Sequence, residues 1–157
     1  MKNAFILSMA LVLGLAGCAS GGGGGGGGSS GDIQVLATGN HSSLTDPDFK
    51  DIHNAADLDA YLAKAFQKQG SSPKLDVDWT KQMVLTAFIG KKQNTGFRIR
   101  FLSVDETGDT VAVHVRIIIP CSKEARPEES EPYTIVAVPA TTKPVNINDP
   151  EQEYQKC

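Results

Sequence analysis

Hydrophobic and polar positions change their rhythm several times along this chain. Residues 4–15 form an apolar run whose one polar member is Ser8, and 21–31 are all glycine and serine. The short apolar run Ile33-Gln34-Val35-Leu36, stopped by Thr38-Gly39-Asn40, predicts a first strand and a turn. Phe49-Lys50-Asp51-Ile52-His53 alternates less regularly and predicts a second. Asn54 is a suitable helix cap, Asp57 favours a helix start, and Leu58, Leu62 and Phe66 recur every fourth residue beside Tyr61 and Ala65. These residues predict one amphipathic helix, ended by Gly70 and Pro73. Beyond Pro73 the period falls to two. Residues 83–89 are apolar, Phe97-Arg98-Ile99-Arg100-Phe101 alternates, and Val111, Val113, Val115 and Ile117 share one face of a strand over Thr110–Ile119. Residues 133–138 and 145–147 add two more strands. Short turn-like connections, Asn94-Thr95-Gly96 and Asp105 to Asp109, predict antiparallel neighbours. The expected fold is α+β: an antiparallel β-sheet meander with one amphipathic helix packed on one face.

The 157 residues hold one ordinary domain, and fewer fold once the first thirty-one are set aside. With 40% apolar and 21% charged residues, a packed core is expected rather than wholesale disorder. The net charge of −3, with no basic face emerging from the pattern, excludes nucleic acid as the expected partner.

The N-terminus bears on compartment. Met1-Lys2-Asn3 is a short positive segment, and the apolar run after it is too short to span a bilayer, which needs about 20 residues. Residues 1–17 therefore read as a secretory signal. Leu15-Ala16-Gly17-Cys18 resembles the lipobox of bacterial lipoproteins, which implies cleavage before Cys18 and lipidation of its thiol, a palmitate-type acyl anchor. Several acyl chains, each CH₂ contributing about 0.8 kcal/mol, anchor stably where one is marginal. The resemblance places the chain in the bacterial cell envelope with a lipid membrane as partner. Ala19, rather than aspartate, after the cysteine suits the outer membrane, facing the periplasm or the surface. Residues 18–31 then serve as the lipidated cysteine and a Gly/Ser tether whose composition gives a reach of roughly 20 Å. A phosphate-cradling loop is disfavoured, because no strand precedes the glycines and neither a lysine nor a helix start follows them. Residues 32–157 are left as a single domain.

Candidate chemistry in that domain is sparse. His41, His53 and His114 are the only histidines, and although Asp46, Asp48 and Asp51 lie near the first two, no helical or hairpin spacing fixes a ligand set. His114 falls on the polar face of its strand. Ser42 lacks a nucleophile-elbow sequence, and Cys121 lacks a helix N-terminus to activate it. Asp76 and Asp78 suit the turn before Trp79, while Glu128 and Glu129 belong to a charged loop over 121–132, expected to be exposed. No catalytic, cofactor-binding or metal site is assigned. Arg98 and Arg100, with Lys91 and Lys92, make a small cationic stripe that suits an acidic segment, although a solvated face is the commoner outcome. With Cys18 acylated, Cys121 and Cys157 remain, and in an oxidising compartment they are expected to form a disulfide pinning the C-terminal tail. Closing that loop contributes about 3–4 kcal/mol in the chain-entropy description. Two free thiols or an intermolecular bond are the alternatives.

Two stretches together resemble the PrcB-type protease-complex lipoproteins, in particular their C-terminal domain: Thr38-Gly39-Asn40-His41-Ser42, and Val77-Asp78-Trp79 running through Gly90 to Gly96-Phe97. The valine-rich strand ending at Pro120 and the later Pro132-Tyr133 strand continue the likeness, and Asn94-Thr95-Gly96-Phe97 stands where the family carries Thr-Gly-Gly-Tyr. The resemblance implies a non-enzymatic, exported accessory lipoprotein that binds a protein partner, an exported protease, and helps assemble or stabilise it. A small-ligand or metal-binding lipoprotein using His41 or His53 is the alternative. A small hydrolase is a further one, needing His41, Ser42 or Cys121 to converge with an acid.

Overall fold

A computed structural model describes residues 32–157, so the signal segment, Cys18 and the Gly/Ser tether lie outside the described residues. Eight strands and one α-helix follow in the order β1 (Gln34–Gly39), β2 (Pro47–Ile52), α1 (Ala55–Ala65), β3 (Gln82–Ile89), β4 (Arg98–Thr107), β5 (Thr110–Ile119), β6 (Tyr133–Pro139), β7 (Val145–Ile147) and β8 (Glu151–Tyr154). They form three layers. The first sheet, ordered β1-β6-β3-β2 and antiparallel throughout, is the middle layer; α1 covers one of its faces and the second sheet covers the other.

Being the middle layer explains the apolar stretch of β3, interrupted only by the buried Thr86. Met83, Leu85, Ala87 and Ile89 point to the second sheet, joining Val136 and Val138 of neighbouring β6 in a core with Val113 and Val115 of β5, while Val84 and Phe88 point to the helix. A strand covered on both faces has no polar side to show. On the helix side Leu58, Leu62 and Ala65 complete a second core. There Phe88 stacks on Tyr133 with centroids 5.4 Å apart, and Phe66 meets Tyr133 edge-on at 4.9 Å. The helix begins as its sequence demands: the Asn54 side chain accepts the Asp57 N–H at 2.9 Å and donates to the Asp57 carboxylate at 2.7 Å. A short 3₁₀ turn follows, and Gly70, at φ +71, ends it.

The α+β class is present, but the expected meander is not. Only β4 and β5 form the anticipated hairpin; β3 and β4 lie in different sheets, and β3 pairs instead with β2 and β6. The segment that resembled a hairpin turn is a crossing between layers. Thr95 donates its N–H to the Arg126 carbonyl, and Lys92 pairs with Ser130, so these bonds go to the 121–132 loop rather than to a returning strand. As expected, that loop is exposed over most of its length, with Lys123, Glu124, Arg126, Glu128 and Glu129 at the surface, but it is anchored near its end, where Ser130 is fully buried and donates to the Asn94 carbonyl.

The second sheet has an unusual margin. β7 and β8 both run parallel to β5, the first beside residues 111–113 and the second beside 116–119. The chain travels from β5 to these parallel neighbours through β6, so a strand of the facing sheet serves as the crossover.

Candidate functional site

The residues singled out from sequence are scattered. Cys121 and Cys157 do meet, with sulfurs 2.23 Å and Cα atoms 5.4 Å apart, and the bond ties the end of the tail to the loop after β5. Cys18 lies outside the described residues. The Ser42 hydroxyl is buried and accepts the Leu44 N–H at 3.3 Å, a local turn bond. His53 pairs with Asp51 at 3.0 Å just before the helix, whereas His114 stands on the outer face of the second sheet. His41 borders a shallow hollow with Phe66 and Tyr133. Among the described residues no three histidine, cysteine or acidic side chains are grouped to hold a metal ion. Asp78 does serve its turn: it accepts the Thr80 hydroxyl at 2.5 Å and the Thr80 N–H at 3.1 Å, and these bonds hold its carboxyl below the ordinary range.

One polar cluster was missed in the sequence. Ser103 donates to Asp105 at 2.6 Å, and His114, its cross-strand neighbour, lies 3.9 Å from the same carboxylate. The period-two spacing of Ser103 and Asp105 was the available signal. The serine donates to the acid rather than to the imidazole, so the arrangement lacks the nucleophile-to-base bond that activation of a serine requires.

A concavity of about 520 Å³ lies where the end of β1 faces the start of β4. Both are edge strands of their sheets, and a set of hydroxyl bonds sets their separation. Thr38 donates to the Tyr133 carbonyl at 3.1 Å and lies 3.2 Å from the hydroxyl of Thr134. Thr134 in turn donates across the layers to the Ile99 carbonyl at 3.3 Å. Tyr133 forms part of the cleft wall because Gly39 faces it in the neighbouring strand: a Cβ there would stand 2.8 Å from the phenol oxygen. Only glycine lets the ring lie across β1, and burial raises the phenol pKa above its usual value.

Charge at the cleft is unevenly matched. Arg98 is 3.5 Å from Glu124 and hydrogen-bonds Gln155 of the tail, which itself donates to Glu124 at 2.8 Å. Arg116 bonds Glu151 and Glu153 of β8, both at 2.9 Å, and those carboxylates raise its pKa. Arg100 sits directly opposite Arg116 in the ladder and is exposed; among the described residues it makes no ion pair. Lys91 is taken by Glu129 at 2.8 Å, and Lys92 lies 5.9 Å over the Phe97 ring. Of the cationic stripe read from the sequence, Arg100 is the member left unmatched at the cleft.

Comparison with protein-family models, with curated proteins and with solved structures found no match. Among the described residues no helix is long and apolar enough to cross a membrane.

Proposed function

We propose that this chain is an exported, lipid-anchored binding module, held at a bacterial membrane through acylated Cys18 and presenting residues 32–157 to a protein partner, in the manner of the PrcB-type accessory lipoproteins it resembles. The observation that carries the reading is the cleft between β1 and β4. It offers main-chain edges, an aromatic wall and an unmatched arginine, the equipment of peptide recognition. The outer membrane is the proposed site, and an exported protease is the partner the family likeness suggests.

Crosslinking in intact cells, with the full chain and its Cys18→Ala variant, tests this reading. The expected result is one recurrent protein captured by the wild type, with Cys18→Ala lost from the membrane fraction. A well-expressed wild type that captures nothing, or a Cys18→Ala protein that stays membrane-bound, overturns it.

A further inference from the structure

We infer, resting on the partner-binding reading above, that the cleft receives an extended acidic segment of the partner, laid beside β4 as an added strand with a carboxylate on Arg100. The first support is the state of the sheet margins. An edge strand turns alternate N–H and C=O groups to its open side, and outside its pairing with β5 the main chain of β4 bonds no other described main chain. The other margins are blunted: β1 is broken by a bulge between Val35 and Ala37, β2 begins at a proline and carries Asp48, Lys50 and Asp51, and the margin opposite β4 is made by β7, three residues long, and β8, whose Glu151 and Glu153 would repel an acidic segment. On β4 the bulge falls after Phe101, leaving its first four residues regular, and Arg98, Ile99 and Arg100 among them line the cleft.

The second support is charge. Two arginines directly opposite each other in a ladder repel. Glu151 and Glu153 relieve Arg116, while Arg100 keeps an unmatched charge on an edge strand of a chain whose net charge is −3. A carboxylate from outside would complete the pattern that β8 already completes on the other side.

The geometry specifies the incoming sequence. A strand added to β4 places its residue opposite Arg100 on the outer face and its neighbours toward Ile99 and Phe97. An alternation of acidic and apolar residues fits both faces. The hydroxyl bond from Thr134 leaves the Ile99 carbonyl a second lone pair for a main-chain donor.

The test uses the full chain in detergent and three labelled octapeptides in which valine alternates with glutamate, glutamine or lysine, read by fluorescence anisotropy. The glutamate peptide should bind about tenfold more tightly than the glutamine peptide. Arg100→Glu should reverse the preference toward lysine, and Arg100→Gln should abolish it while leaving the exposed position uncharged. Equal binding of the glutamate and glutamine peptides, or an unchanged preference in Arg100→Glu, overturns the proposal. In cells, a photo-crosslinker at Thr38 should capture the partner, and Arg100→Glu should remove that product. Capture from Lys50 on the opposite margin but not from Thr38 would sink the cleft proposal and leave the partner-binding reading standing; no capture from either position removes both.

Discussion

β3 and β8 occupy the two extremes of how a strand can be held. Seven of the eight residues of β3 are buried, and it is sandwiched between helix and sheet, with hydrogen-bonded neighbours on both sides. All four residues of β8 are exposed, it has one neighbour, and its attachments are the ladder to β5, two ion pairs from Arg116 and the disulfide three residues beyond its end. Burial of apolar area grows with the surface removed from water and is not screened by added ions; ion pairs on a surface are weak and screened by salt. The same fold therefore contains one strand secured by its side chains and one secured by covalent chemistry.

That contrast is broken most severely by Phe88→Ala. Removing a fully buried ring that packs on Tyr61, Phe66 and Tyr133 should cost about 3–5 kcal/mol in denaturant unfolding. A loss below about 1 kcal/mol would mean that the middle layer does not dominate stability. Cys157→Ser should come next, at about 2–4 kcal/mol, with a local signature: fast hydrogen exchange across β8 while β3 stays protected. Loss of protection throughout would show that the tail holds up the core. Arg116→Gln should lower stability less than Cys157→Ser does, and the difference from wild type should shrink in molar salt. The smallest effect concerns the turn into β3. Because the folded-state pKa of Asp78 is depressed, its contribution is present above the ordinary carboxylate value of 3.8 and disappears as pH falls through the lower folded value. Asp78→Asn should flatten the acid side of the stability profile in that window only, and a change near neutral slope would contradict the assignment.

The helix and most strands were legible because their signals are local. Asn54 caps from its own sequence, Leu58 and Leu62 lie one turn apart, and the β4–β5 turn carries its own glycine. β8 was invisible for the opposite reason: Glu151-Gln152-Glu153-Tyr154 has neither apolar alternation nor β-branched residues, and it becomes a strand by what it lies beside. The layer crossing after β3 was misread because Gly96, at φ +97, and Phe97 look alike in a hairpin and in a bridge between sheets. Of the candidate site, the arginines could be named from alternation, and the disulfide from there being two cysteines to pair. Thr38, Gly39 and Tyr133 could not be joined to Arg100, because that requires knowing that β6 lies beside β1 and beneath β4.

The route from β5 through β6 to β7 also makes the tail a clasp. The tail lies beside β5 only after the chain has crossed to the facing sheet at β6 and returned. The Cys121–Cys157 bond therefore closes a ring of chain that holds β6 of one sheet together with β7 and β8 of the other, a covalent loop passing through both layers.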